Sequence, residues 1–155
     1  MPVRREPDLE IARELFREYA EGLGIDLSFQ GFQEEVRDLP GAYAPPQGAL
    51  LLAQGETGAG TPGALGCVAV RRLDALTAEM KRLYLRPAAR GRGLGRALAE
   101  AALAEARRLG YRRVRLDTLP GMEAAQAIYR ELGFREIAAY RVNPVPGARF
   151  LEIEL

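Results

Sequence analysis

The residues best suited to chemistry lie between Arg86 and Glu100, in the stretch RPAARGRGLGRALAE, where three glycines and four arginines precede a helical pattern. A glycine-rich turn that feeds a helix N-terminus gathers unpaired backbone N–H groups and the positive end of the helix dipole, and so attracts anions. Glycines are needed there because the backbone must approach phosphate oxygens closely or take a positive φ. The same residues also suit a tight turn packed for its own sake, and the loop alone does not decide between the two. Charge distribution favours a ligand. Residues 81–115 carry eleven basic and two acidic side chains, residues 1–38 carry five basic and ten acidic ones, and the whole chain has a net charge of only +1. The acidic segment reads as solvated helix faces, while the basic one, centred on the turn, reads as an anion site.

Two kinds of phosphate loop can be tested residue by residue. A P-loop ends in Gly-Lys-Ser/Thr, but Gly95 is followed by Arg96 and Ala97, which leaves no hydroxyl for magnesium. A dinucleotide fingerprint wants G-x-G-x-x-G, and Gly91, Gly93 and Gly95 give G-x-G-x-G with Arg96 in the last place. Asp117, on the next predicted strand, stands about where a ribose-binding acid would, so a dinucleotide-binding oxidoreductase stays open as an alternative. A literal G-x-G-x-x-G at Gly58 to Gly63 includes Pro62, joins two predicted strands and opens no helix, so it carries nothing.

Composition removes other chemistries. The chain has no histidine and a single cysteine, which excludes a Ser-His-Asp or Cys-His nucleophile, the common histidine-containing zinc sites and any internal disulfide. No metal is expected, and proton transfers fall to carboxylates, tyrosines, lysines or water. Cys67, in LGCVAV, reads as a small buried hydrophobe. With 155 residues, 48% hydrophobic and 28% charged, the chain fits a single domain spanning residues 1–155. No apolar run reaches the roughly 18 residues of a membrane span, and MPVRREPDLE lacks the apolar core of a signal peptide. A cytoplasmic protein with no membrane or nucleic-acid partner is the expectation.

The elements that must position the turn follow from periodicity. Leu9, Ala12, Phe16, Ala20 and Leu23 recur at helical spacing after Pro7 and Asp8, and Gly22 and Gly24 end the pattern. GFQEEVRDLP predicts a short second helix carrying Phe32 and Val36 inward, followed by a loop through AYAPPQG. ALLLAQ and ALGCVAVRRL read as strands joined by the hairpin GETGAGTPG, and AEMKRLYL as a third strand. Beyond the turn, a helix runs to Leu109 and is closed by Gly110; YRRVRLDTL is a strand, GMEAAQAIYREL a helix stopped by Gly133, and FREIAAY and ARFLEIEL are strands. This order, α-α-β-β-β-α-β-α-β-β, predicts an α/β (mixed α+β) fold with helices packed on a mixed sheet.

Arg90-x-x-Gly93-x-Gly95 fits the Q/R-x-x-G-x-G/A pattern, and AIYRELGF, Ala127 to Phe134, fits a second signature at the expected distance downstream. Through these two motifs the sequence resembles the GNAT superfamily of acetyl-CoA-dependent N-acyltransferases, well over Leu65 to Phe134 and in outline elsewhere. The resemblance implies a mostly antiparallel six- to seven-stranded sheet flanked by about four helices. The family's fourth and fifth strands, here those containing RLYL and VRLDT, splay apart. Coenzyme A would then place its pyrophosphate on Arg90, Gly91, Arg92, Gly93, Leu94, Gly95 and Arg96, and its pantetheine along the backbone of Leu83, Tyr84 and Leu85. Met122 stands where many relatives carry an asparagine that touches pantetheine or water.

The resemblance also implies roles in direct acetyl transfer to a primary amine within a ternary complex. An ammonium with a lysine-like pKa of about 10 must lose a proton before it attacks, and the departing thiolate gains from receiving one. Glu79, eleven residues before Arg90, matches the family's general-base glutamate, acting directly or through water; equally it reads as a surface glutamate paired with Lys81. Tyr129 matches the family's acid and also fits a core aromatic. A backbone N–H near Leu83 to Leu85 would meet the oxyanion. Tyr19, Phe29, Tyr140 and Asn143 are candidate acceptor contacts, and the acidic N-terminal region would tolerate a cationic amine. Homodimers are common in the family. A catalytically silent acyl-CoA-binding regulatory module is the remaining alternative, because the fold alone does not guarantee catalysis.

Overall fold

A computed structural model describes residues 6–24, 26–28, 31–56 and 62–155. Phe29, the N-terminal residues 1–5 and residues 57–61 of the hairpin GETGAGTPG lie outside the described residues. Helices α1 (Glu6–Leu23) and α2 (Phe32–Arg37) come first, followed by strands β1 (Ala49–Glu56), β2 (Pro62–Arg72) and β3 (Thr77–Leu85). Then follow α3 (Leu94–Arg108), β4 (Arg113–Thr118), α4 (Glu123–Leu132), β5 (Arg135–Ile137) and β6 (Arg149–Glu154). The described strands form one six-stranded sheet in the order β1-β2-β3-β4-β6-β5, in which only the β3–β4 pairing is parallel. The expected element order and sheet class are both present.

Strand alternation sends the apolar side chains to two faces. Val68, Val70, Ala78, Met80, Val114 and Leu116 meet Leu98, Ala99, Ala102 and Leu103 of α3 and Tyr129 of α4 on one side. Leu50, Leu52, Cys67 and Ala69 meet Leu9, Ala12, Leu15 and Phe16 of α1 and Val36 of α2 on the other. Cys67 is fully buried and donates its thiol hydrogen to the Arg82 carbonyl, in keeping with a packing role. Among the described residues, no helix is long and apolar enough to cross a membrane.

Two irregularities open the sheet where the site lies. Strands β3 and β4 pair through Thr77–Arg113, Ala78–Val114 and Glu79–Arg115 and then separate, so the remainder of β3 has no partner on that side. In the same strand the register against β2 slips between Cys67–Tyr84 and Ala69–Lys81, leaving one extra residue on β3. At this bulge Arg82 takes a φ of 60°, the one positive φ among the described non-glycine residues. A bulge bends its strand and sharpens its twist, which turns the end of β3 away from β4.

Strand β5 is shorter than FREIAAY predicts, ending at Ile137. The chain from Ala138 to Ala148 leaves the ladder because Tyr140 and Arg141 turn toward Glu79, and because Pro144 and Pro146 cannot donate to a neighbouring strand.

Gly66 faces the bulged part of β3 at close quarters, where an added Cβ would overlap the Tyr84 carbonyl and press on Leu85 at 3.3 Å from its Cα. Gly66→Ala is therefore expected to destabilise the fold by about 1–3 kcal/mol and to move the Tyr84–Leu85 edge. Urea unfolding checks the first effect, and a crystal structure of the variant checks the second.

Candidate active site

The gap between the separated strands is a cleft of about 340 Å³ lined by Leu83, Tyr84 and Leu85 of β3, Met122, Ala125 and Ile128 of the α4 region, and Tyr19 of α1. Arg90 and Gly95 close its far end, and Gly22, Leu23 and Glu123 complete the rim. Because β4 has left β3 here, peptide groups on that edge of β3 have no strand beside them, and an extended ligand carrying amides can take their place.

At the end of the cleft the chain makes a short 3₁₀ turn (Pro87–Ala89) and enters α3 through Gly91 and Gly93, with φ of 80° and 74°. These left-handed conformations aim successive amides outward, and glycine adopts them without a Cβ clash. Leu94, Gly95 and Arg96, the first residues of α3, have no helical acceptor for their N–H groups, and no side chain caps the end. Gly95 also lets α4 approach, since a Cβ there would lie 3.1 Å from Ile128 Cδ1. The arginines around the turn differ in their freedom. Arg96 is paired with Glu100 at 2.7 Å and Glu131 at 3.0 Å, and Arg90 donates to the Leu85 carbonyl at 3.1 Å beneath the Tyr84 ring. Arg92 is exposed and forms no ion pair among the described residues.

Deeper in, beyond Tyr19, Leu83 and Met122, a smaller chamber of about 30 Å³ is lined by Lys81, Arg82, Asp117, Tyr129 and Asn143. That is space for a water or a single amino group. Tyr129 is 5% exposed and packs on Phe134, with ring centroids 5.5 Å apart. Burial, with Tyr19 and Asp117 nearby, pushes its phenol above the ordinary tyrosine range, so it keeps its proton. Burial, with the adjacent Arg82 charge, lowers Lys81 to about 8. Arg82 lies across this chamber and is held by a bidentate pair with Glu35 at 2.8 and 3.1 Å, with the rings of Tyr19 and Phe32 at 5.7 and 5.1 Å. Asp117 accepts from Asn143 at 3.1 Å.

Glu79 is 0% exposed, a buried group and not the surface partner of Lys81 that one sequence reading allowed. Its Oε1 accepts from Arg71 Nε at 2.8 Å, directly across the β2–β3 pair, and its Oε2 accepts from Tyr140 Oη at 2.6 Å and from Arg141. Burial alone would raise its carboxyl, but the Lys81 charge and the hydrogen bonds from Tyr140 and Arg141 outweigh that and hold it below the ordinary glutamate range. Both oxygens are thus engaged by protein.

Several of the acids expected to welcome a cationic amine are already paired. Glu14 and Glu18 pair with Arg86, Glu10 with Arg13 and Arg17, and Glu35 with Arg82. Of the sequence candidates, the structure brings Leu83, Tyr84, Leu85, Arg90, Gly95, Met122 and Tyr19 to the cleft, and Tyr19, Tyr129 and Asn143 to the chamber; Tyr140 reaches Glu79 instead. Sequence reasoning passed over Arg71, Arg82 and Arg141, and it met Asp117 only as a ribose-binding candidate. The one hint available was the alternation of Arg113, Arg115 and Asp117, which places three charges on one face of a central strand. No cluster of three or more metal-binding side chains occurs among the described residues.

The sequence model of the Acetyltransferase (GNAT) family matches residues 9–134. An uncharacterized N-acetyltransferase of Schizosaccharomyces pombe is 36% identical over 99% of this chain and 92% of its own length. Among solved structures, an acetyltransferase from Streptococcus agalactiae superposes with a TM-score of 0.77 at 22% identity, covering 100% of this chain and 96% of that one. A GNAT family acetyltransferase from Elizabethkingia anophelis with acetyl-CoA bound superposes with a TM-score of 0.57 at 20% identity, over 70% of this chain and 77% of that one.

Stability should report the Glu79 cluster. The folded carboxyl binds its proton less readily than the unfolded one, so the stability it contributes is complete above the ordinary glutamate range and is lost as pH falls below it. Urea midpoints measured from about pH 6 down to about pH 3 should decline, and Glu79→Gln should decline less steeply over that window.

Proposed function

Because the chain belongs to the GNAT acetyltransferase family, we propose that it transfers an acetyl group from acetyl-CoA to a primary amine by direct attack in a ternary complex. The observation that carries this reading is continuity: an anion-binding turn, an unpaired strand edge and a polar chamber holding Tyr129 follow one another along a single cleft. The relative from Elizabethkingia anophelis, with acetyl-CoA bound, supports the choice of donor.

The residues present suit coenzyme A. The amides of Gly91 to Arg96 and the Arg92 guanidinium would hold phosphate groups, and the β3 edge at Leu83 to Leu85 would accept the pantetheine amides. Met122 and Ile128 would line the arm from the α4 side. When bound, the donor supplies a thioester acetyl group. The chain's own tasks are then to orient the amine, to receive its proton and to return a proton to the sulfur. Tyr129 serves as the donor of that last proton, since burial keeps its phenol protonated. An amide of the unpaired β3 edge stabilises negative charge developing on the carbonyl oxygen. Tyr19 lines both cavities and stands where one meets the other.

Acetyl-CoA should raise the melting temperature by several degrees at concentrations well above its Kd, while NAD and ATP should not. Thiol release followed over polyamines, amino acids, aminoglycosides and peptide N-termini identifies the acceptor. Tyr129→Phe should lower kcat about 100-fold with acetyl-CoA stabilisation near wild type. No stabilisation by acetyl-CoA would defeat the reading.

A further inference from the structure

We infer that Asp117 is the group that takes the acceptor's proton, and that Glu79 is a positioning residue that fixes the loop placing Asp117. This rests on the acetyltransferase reading above and assigns a role within the same site.

The two carboxylates differ in what they leave free. Glu79 is fully buried with Arg71 on one oxygen and Tyr140 and Arg141 on the other, and it lines neither cavity. Asp117 lines the chamber together with Tyr129, and of its two oxygens only Oδ2 is engaged, by Asn143. Among the described residues nothing occupies its Oδ1, which therefore has a lone pair for an incoming ammonium, in a space that admits little more than an amino group. No other carboxylate lines the chamber among the described residues.

The fold explains the position. Asp117 stands two residues beyond Arg115, the last β4 residue paired with β3, so it lies where the strands have just parted. On β3 the corresponding residue of the same face is Lys81, two beyond Glu79. The titratable groups facing Asp117 are Tyr19 from α1, Lys81 and Arg82 from β3, Tyr129 from α4, and Tyr140 and Arg141 from the loop. Glu79 acts at one remove. It anchors Tyr140 and Arg141, the same segment carries Asn143 two residues on, and Asn143 holds Asp117. Asn143 also accepts from the Val145 amide at 3.0 Å, which sets its amide plane.

The step balances as follows. The ammonium gives one proton to Asp117 Oδ1, and the freed nitrogen lone pair forms the bond to the acetyl carbonyl carbon while the carbon–sulfur bond breaks. The sulfur takes the Tyr129 proton, the second nitrogen proton restores Tyr129 through solvent, and Asp117 releases its proton to solvent. One amide, one thiol and one net proton result.

The test uses the full chain, acetyl-CoA, and as acceptors ethylamine and the fastest amine of the panel. Asp117→Asn keeps the shape and the Asn143 contact; it should lower kcat at least 100-fold with acetyl-CoA stabilisation unchanged. Binding of the panel amine to the chain loaded with coenzyme A, measured by calorimetry, should weaken about tenfold. Asp117→Glu should recover part of the rate. Glu79→Gln should raise the acceptor KM more than it lowers kcat. A kcat near wild type in Asp117→Asn, or a loss in Glu79→Gln that falls on kcat as heavily as that of Asp117→Asn, overturns the assignment and leaves the acetyltransferase reading intact. A wild-type chain that acetylates none of the amines overturns that reading and this assignment with it.

Discussion

The bidentate pair between Arg82 and Glu35 is the interaction on which the geometry of the site turns. A non-glycine residue at φ 60° costs on the order of 1–3 kcal/mol unless its surroundings hold it there. Here the guanidinium is fixed by two hydrogen bonds to Glu35 and by the rings of Tyr19 and Phe32, and the Arg82 carbonyl receives the Cys67 thiol. Helices α1 and α2 thus reach the sheet through a charge pair at the bulge as well as through their apolar faces. The bulge bends β3, the bend ends the pairing with β4, and the unpaired edge that results is the wall of the cleft. Replacing the pair with apolar side chains of equal volume need not weaken the fold, since buried ion pairs often add little net stability. It would remove what selects this backbone.

The turn and strand edge proposed for the cofactor were legible in the sequence because glycine spacing and helix starts are local properties. Gly91, Gly93 and Gly95 announce a turn with specific backbone demands, and the residues from Leu83 to Leu85 follow from the strand that precedes it. The acceptor half was much less so, because it is assembled by long-range contacts. Glu79 is separated from Tyr140 and Arg141 by about sixty residues, and no periodicity in FREIAAY says that its last residue leaves the sheet to meet a buried carboxylate. Likewise Arg71 and Glu79 become partners only once the β2–β3 register is known, and that register contains the bulge that alternation alone does not reveal. Element order and sheet class, which depend on summed local preferences, were readable throughout.

Electrostatics divides the molecule along the same line. Part of the acidic N-terminal segment is spent internally: Glu14 and Glu18 of α1 pair with Arg86, and Glu35 of α2 pairs with Arg82. The basic segment keeps part of its charge in reserve at the mouth of α3, where Arg92 is exposed beside open amides. A nearly neutral chain therefore presents a locally positive rim to an anionic ligand while its interior charges compensate one another.

Two different kinds of atom build the two halves of the cleft. On the side proposed for the coenzyme, the groups on offer are peptide groups of β3 and of the glycine turn, so side chains there answer mainly to packing. On the other side the Ala138–Ala148 segment has no ladder of its own and is tied down by side-chain bonds to two carboxylates. A few substitutions in that segment could re-aim it while leaving the donor machinery untouched. Under the proposed function, such a division would let one scaffold be reassigned to new acceptors by small steps that leave the donor side unchanged.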